Sequence, residues 1–197
     1  MRPTEILMQE HRVIEQVLNC LEIIAQRAEA DSKLDTDSAN QAIDFLRNFA
    51  DRCHHGKEED CLFPMLEQKG FSPDEGPTGV MRQEHEAGRQ YICGMMEATT
   101  AVAAGDSQAI GAFASNARAY VLLLREHIQK EDHCLFQMAD QALSEQEQQQ
   151  VLDSFAHVEH DDMGPETHQK YLNIAVELAK RFGVSCQAAG ACGCGHN

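Results

Sequence analysis

The sequence is short of positive charge and lacks any long apolar run. Its 197 residues carry 16 Lys and Arg against 32 Asp and Glu, a formal net charge of -16, which argues against nucleic acid and anionic membrane surfaces as partners. No apolar stretch approaches the roughly 20 residues of a membrane span, and the first residues do not read as a secretory signal. We therefore expect a cytoplasmic protein whose acidic surface attracts cations.

Strand patterns and the common catalytic motifs are also missing. The sequence contains no credible strand run, catalytic nucleophile, phosphate-binding loop or nucleotide fingerprint. Of its eight cysteines, five lie in helical patterns and three in a Gly-rich tail, which is not the framework of a secreted disulfide protein. The tail motif Cys192-Gly-Cys194-Gly-His196 can bind a soft metal ion or pair with Cys186, but it offers few ligands, and a mobile tail is the alternative.

Apolar periodicity predicts four long helices joined by short polar connections. They cover about residues 4–30, 35–69 and 80–104, and a fourth helix begins after Asp106. Pro64 is expected to bend or divide the second helix, because it removes a backbone donor.

Two further helices follow, one opened by a capping box at Ser144 and one by Gly164-Pro165. We predict an all-α fold in three parts: an antiparallel up-down four-helix bundle (1–143), an appended helical hairpin packed on it (144–184), and a mobile Cys/Gly-rich tail (185–197).

Two ten-residue segments repeat one arrangement of chemical groups. Both His54–Phe63 and His127–Phe136 read His, three residues, Glu, two residues, and then Cys-Leu-Phe. Residues four apart lie on one face of an α-helix, so each segment directs an imidazole and a carboxylate, Glu58 or Glu131, to the same side. Two such pairs facing each other supply ligands that suit iron or manganese and, less selectively, zinc.

The first and third predicted helices each place one histidine, His11 or His85, in an otherwise apolar stripe. A lone histidine there is more often a hydrogen-bonded core residue than a ligand, but here four helices do the same and two add a carboxylate. Burying Glu58 and Glu131 unpaired would cost several kcal/mol. The basic residues nearby fall off the stripes: Lys57, Arg89, Arg125 and Lys130. We therefore favour a metal centre, with two ions bridged by the carboxylates.

Together these residues resemble the hemerythrin-like cation-binding family, also named after its His-His-Glu motif. The resemblance covers about residues 1–143 and includes Gln-Glu-His-Arg, His-His-Gly-Lys-Glu-Glu-Asp-Cys-Leu-Phe-Pro, Glu-His-Glu-Ala-Gly-Arg and His-Ile-Gln-Lys-Glu-Asp. It implies a four-helix bundle around a non-haem di-iron centre in which Glu58 and Glu131 are bridging carboxylates. The implied terminal ligands are the four histidines His11, His54, His85 and His127. Members of the family bind O2, nitric oxide or peroxide, sense oxygen or iron, or repair iron-sulfur clusters.

The third helix departs from the pattern of oxygen-carrying hemerythrins, which place two histidines a turn apart there. Here Met81 stands four residues before His85. Either one iron keeps an open position, which favours reactivity over reversible carriage, or a fifth histidine comes from elsewhere. The candidates lie in the added segment: His157, His160 and His168. We predict that His160 completes or caps the site; the alternative is an exposed acidic helix end.

Other polar residues beside the motifs are assigned weaker roles. His55 and Glu59 repeat the spacing one residue further on, about 100° round the helix, and should face solvent or a neighbouring helix. Asp132 and His133 are similar. Tyr120 is expected to be a core residue rather than a hydrogen-bond partner of a ligand.

The sequence thus predicts a non-haem protein with two carboxylate-bridged iron ions, replaceable by manganese or zinc, that binds, senses or reacts with O2, NO or peroxide. An iron storage or delivery module, or one that repairs iron-sulfur clusters, is the alternative. A ferritin-type oxidase is disfavoured, because its di-iron helices use Glu-x-x-His and none of the ten histidines has a Glu three residues before it. Turnover and protein partners are left open.

Overall fold

The structure, a computed structural model, describes residues 1–159 and 167–185. All regular structure within these residues is helical, which confirms the predicted class. The first long helix is α1 (Pro3–Asp31). The second is a succession of α2 (Thr36–Phe45), π1 (Leu46–His55), π2 (Glu58–Leu62) and α3 (Phe63–Gln68). The third is α4 (Pro77–Ala103), and the fourth joins α5 (Ala109–Lys130), π3 (Glu131–Leu135) and α6 (Phe136–Ala142). Two shorter helices follow, α7 (Glu145–His157) and α8 (Thr167–Phe182).

Local chemistry sets several helix ends where the sequence predicts them. The Asp35 side chain accepts a hydrogen bond from the Ser38 amide and caps α2. Ser144 and Glu147 form the capping box that opens α7. Gly105 follows α4 with a φ of 100°, a left-handed conformation that glycine adopts without a Cβ penalty.

The second and fourth long helices pass into π-helical hydrogen bonding where the two repeated motifs lie. A π turn is wider than an α turn and is frequently found at functional sites. Pro64 lies in the first turn of α3, where π bonding gives way to α bonding and a missing backbone donor is tolerated. The chain therefore continues as a helix through the division at Pro64.

The long helices pack on one another through two apolar clusters. α5 lies against both α4 and α1, and α2 contacts α4. The larger cluster includes Leu21, Phe45 and Phe113, and the smaller one includes Leu7 and Phe136. Along α1, α4 and the second long helix, the predicted ligands fall between the residues of these two clusters, so apolar side chains lie on both sides of them.

The two appended helices pack on one side of this core. α8 contacts α1 and α2, and α7 contacts α1 and π2; Gln16 Nε2 donates to the Ala175 carbonyl oxygen at 3.0 Å. The division at residue 143 stays a prediction, and the tail from residue 186 onward lies outside the described residues. Among the helices that are described, none has the length and apolarity that a membrane span requires.

Candidate metal centre

Two groups of buried side chains meet between the apolar clusters. The first group is His11, His54, Glu58 and Glu131, and the second is His55, Glu58, His85 and His127. In each group, one nitrogen or carboxylate oxygen from every residue lies within 4.8 Å of the others. None of these residues is more than 3% exposed. The groups share Glu58, so they form one continuous cluster.

Each carboxylate reaches histidines of both groups. Glu58 Oε1 is 3.5 Å from His54 Nε2, and its Oε2 is 3.5 Å from His85 Nε2. Glu131 Oε2 is 3.2 Å from Nε2 of His11 on α1 and 3.2 Å from Nε2 of His127 on α5. A carboxylate placed between two sets of nitrogen ligands is suited to bridging two metal ions.

The inner atoms of the cluster are buried, and none of them makes a contact with hydrogen-bond geometry among the described residues, although Glu131 Oε2 lies 3.2 Å from two Nε2 atoms. They are Nε2 of His11 and His54 and all four carboxylate oxygens of Glu58 and Glu131. Buried polar atoms are normally satisfied, and an unpaired buried charge costs several kcal/mol. Bound cations would supply the missing partners to all of these atoms at once.

The outer nitrogen of every imidazole in the cluster lies beside a carboxylate. The Nδ1 contacts are His11 with Asp132 at 2.7 Å, His54 with Glu10 at 2.9 Å, His55 with Asp51 at 3.4 Å, His85 with Glu59 at 2.6 Å, and His127 with Glu84 at 3.0 Å. A neutral imidazole that donates from Nδ1 keeps a lone pair on Nε2, the form that binds a metal ion. The facing Nε2 atoms of His85 and His127 are only 3.1 Å apart, so a cation or proton between them is required to offset their repulsion.

A layer of basic residues holds these outer carboxylates. Arg12 binds Asp132, Lys57 binds Glu10, Arg89 binds both Asp51 and Glu59, and Lys130 binds Glu84. Of the four basic residues that the sequence places off the apolar stripes, Lys57, Arg89 and Lys130 pair with outer carboxylates. Arg125 pairs with Glu22, and none of these ion pairs includes Glu58 or Glu131. Lys57 is nevertheless fully buried, with its Nζ 2.5 Å from Glu10 Oε1.

Without metal, protons take the place of cations in the cluster. Burial and the nearby Glu131 carboxylate raise the pKa of Glu58 well above its ordinary value. Burial would lower the pKa of His127, but Glu131 and Glu84 raise it to about 9. The pKa of His54 falls to about 3, chiefly because burial disfavours its charged form. Such a site releases protons when a metal ion binds, so its metal affinity depends on pH.

The structure brings together six of the predicted ligands: His11, His54, Glu58, His85, His127 and Glu131. Their role as metal ligands stays a prediction. His160 lies outside the described residues. His55 brings to the cluster the extra imidazole that Met81 cannot provide, so a fifth histidine is present there without His160.

The expectation that His55 points away from the centre is wrong, although the residue does face a neighbouring helix, α4. His55 is 3% exposed, and its ring stacks on that of His85 with centroids 3.8 Å apart. An α-helical turn would separate neighbouring residues by about 100°, but the wider π1 turn brings His54 and His55 toward the same interior. The signal in the sequence is the consecutive His-His pair. Glu59 and Asp132 also turn inward, where they bind the outer nitrogens of the cluster.

Comparison with known proteins agrees with this arrangement. The model of the hemerythrin HHE cation-binding domain matches residues 2–139, a range that includes every residue of the cluster. The uncharacterized proteins Rv1995 and MT2051 of Mycobacterium tuberculosis and Mb2018 of Mycobacterium bovis are each 29% identical to this chain over 180 residues, which is 91% of this chain and 70% of theirs. No solved structure matches the chain. The extent of the family match shows that the chain belongs to the hemerythrin family and carries its HHE cation-binding domain.

Proposed function

We propose that the chain is an antiparallel four-helix bundle that holds two non-haem iron ions and uses them to bind, sense or react with O2, nitric oxide or peroxide. One observation carries this proposal: two buried carboxylates, Glu58 and Glu131, each lie between two sets of imidazoles, and none of their oxygens has a hydrogen-bond partner among the described residues. This arrangement is costly in the absence of cations.

The proposed ligands divide unequally between the two ions. His11 and His54 would hold one ion and three histidines would hold the other, with both carboxylates placed so that they could serve either ion. The second set is His55, His85 and His127. The ion with fewer protein ligands has more room for a small external ligand.

Imidazole and carboxylate donors without thiolate suit iron or manganese, whereas a structural zinc site is filled by four ligands. Iron held there supplies a redox-active Lewis acid for a diatomic or peroxide ligand. The chain itself positions the imidazoles and excludes water. Phe136 stacks on His11 with centroids 5.5 Å apart, and Leu7 is fully buried nearby in the same apolar cluster. A small uncharged ligand can enter such a site at less desolvation cost than an ion.

Metal analysis and spectroscopy of the natively loaded protein test this function. We expect two iron ions per chain and, after anaerobic reduction, a new charge-transfer band on adding O2, H2O2 or NO. The matched variants are Glu131→Gln, which should abolish the band, and Asp60→Asn, an exposed acid of the first repeated segment, which should keep it. A reduced protein that holds two irons but shows no band with any of the three ligands would contradict the proposal.

Iron storage or delivery, which includes handing iron to clusters for repair, is a second candidate. The observation that favours it is the net charge of -16, which raises the local concentration of cations. In this case a chelator should slowly remove the iron, and the external ligands should produce no bands. The same protein sample therefore separates the two functions.

A further inference from the structure

A second set of ligand-type side chains lies behind the proposed centre. Glu10 of α1, Cys53 of π1 and His168 of α8 each offer one oxygen, sulfur or nitrogen atom, and these atoms lie within 4.8 Å of one another. Glu10 is 5% exposed and Cys53 is 2% exposed. Three different helices thus bring together a buried carboxylate, a buried thiol and a half-buried imidazole.

One polar atom of this triad is buried without a hydrogen-bond partner among the described residues. This atom is Nδ1 of His168. The His168 ring packs on Phe49 with centroids 5.3 Å apart, so an apolar neighbour covers one side of the ring. An imidazole that is only packed, with a bare nitrogen, loses hydration without compensation.

The charges around the triad also favour a cation. Lys57 Nζ binds both Glu10 and Glu159. One ammonium therefore serves two carboxylates, which leaves negative charge in excess. If an oxygen of Glu10 binds a metal ion, Lys57 keeps its ion pair with Glu159.

We propose that Glu10, Cys53 and His168 form a separate site for one divalent transition-metal ion of zinc-like preference. Sulfur, nitrogen and oxygen ligands together suit zinc or cobalt, and three protein ligands leave the fourth position for water. On binding, the metal-sulfur bond replaces the S–H bond of Cys53 and the proton passes to solvent; no oxidant or reductant is needed.

This site is linked to the proposed centre but is not part of it. Glu10 Oε2 is 2.9 Å from Nδ1 of His54, so an ion on Glu10 competes for the carboxylate that orients this imidazole. His168 lies beyond residues 2–139, the part of the chain matched by the family model. The appended helix α8 therefore supplies a ligand that the family match does not include.

Cobalt titration of the metal-free full chain tests the proposal, because a thiolate ligand gives Co²⁺ an intense near-ultraviolet charge-transfer band. The proposed di-iron centre has no cysteine, so the band is independent of that centre. We expect wild-type protein to show the band, Cys53→Ser to lose it, and His168→Ala to weaken cobalt binding at this site by about tenfold or more. The matched control is Cys93→Ser, which removes an exposed free thiol and should keep the band.

The tail cysteines need a control of their own. A variant in which Cys186, Cys192 and Cys194 are all serine should retain the band at full intensity. The proposal is overturned if wild-type protein shows no band, if the band survives Cys53→Ser, or if it disappears with the tail cysteines. If Cys53→Ser does not fold, His168→Ala decides: unchanged cobalt affinity in that variant also overturns the site. Failure of iron to react with O2, H2O2 or NO has no bearing on these outcomes.

Discussion

The two halves of the centre have the same design, but the appended helices cover only one of them. The first half is α1 with the second long helix, and the second half is α4 with the fourth long helix. Each half contains an imidazole, a carboxylate and an ammonium in series: His54, Glu10 and Lys57 in the first; His127, Glu84 and Lys130 in the second. The repetition in the sequence is therefore matched by a repetition in the structure: behind each of these two histidines lies the same pair of a carboxylate and an ammonium group.

Burial separates the two series. The Lys57 side chain is fully buried, whereas that of Lys130 is 42% exposed. Glu159, two residues after the end of α7, binds Lys57, and the ring centroid of Phe155 in α7 lies 5.7 Å from the Lys57 Nζ. The same ion pair is therefore part of the protein interior in one half and a surface contact in the other. The appended helices create this difference.

The number of imidazoles is the second difference. The residue after His54 is His55, and the residue after His127 is Ile128. His55 points into the cluster from π1, and Ile128 is buried in the larger apolar cluster from α5. A local change of helix type thus gives two similar halves unequal numbers of ligands, which makes the two proposed ions chemically distinct.

The largest effect is expected at the two carboxylates that reach imidazoles of both halves, Glu58 and Glu131. Glu58→Gln and Glu131→Gln should each reduce the metal content from two ions to fewer than one, because a bridging carboxylate contributes to both positions. Metal analysis after gel filtration measures this content, with Asp60→Asn as the control. Loss of one ion while the other stays tightly bound would show that the carboxylate serves one half alone.

The buried and exposed lysines should differ strongly in their effect on stability. Lys57→Met leaves the buried Glu10 carboxylate without its cation and should lower the free energy of unfolding of the metal-free protein by about 3–5 kcal/mol. Lys130→Met removes a partly exposed pair and should cost less than about 1 kcal/mol. Urea unfolding of both variants gives the comparison. Equal losses would mean that covering by α7 has no energetic consequence.

Removing the extra imidazole should make the halves more alike. His55→Ile copies the residue of the second half and should weaken the binding of one ion by about 10- to 100-fold while the other remains. Competition with a chelator of known affinity measures this change. His133→Ala, at an exposed histidine of the second motif, is the control and should leave both affinities unchanged. If the two variants give the same result, His55 is not a metal ligand.

The residues that the sequence predicts well are those set by local periodicity. The all-helical class follows from apolar stripes, and His11, His54, His85 and His127 interrupt those stripes at the level where the structure gathers them. Helical spacing is a property of the chain itself, so no knowledge of packing is needed to use it.

Local spacing in the sequence cannot predict contacts between helices. Glu10 binds a histidine on the second long helix, and Glu84 binds one on the fourth. Each precedes a predicted ligand in a repeated Gln-Glu-His, which is a signal that only becomes meaningful once the helices are packed. The direction of His55 is unpredictable from the sequence for a different reason: it depends on π hydrogen bonding, and the α-helical period gives the wrong face.

The smallest effect concerns Tyr120, which has no counterpart in the first half. It stands seven residues before His127, where the first half has the exposed Arg47 seven residues before His54. Its hydroxyl is buried without a hydrogen-bond partner among the described residues, and its ring packs close to Gly88 of α4. Removing an unpaired buried hydroxyl removes a desolvation penalty while the packing of the ring is kept.

Tyr120→Phe should therefore raise the free energy of unfolding by up to about 1 kcal/mol and leave the metal content unchanged. The urea midpoint should rise at constant slope, since the surface exposed on unfolding stays the same. Tyr91→Phe, at a half-buried tyrosine of α4, provides the control and should shift the midpoint little. A loss of stability or of metal in Tyr120→Phe would reveal that the hydroxyl is bound in the folded protein. In that case the Tyr120 hydroxyl would make a buried polar contact in the second half, as Lys57 does with Glu159 in the first half.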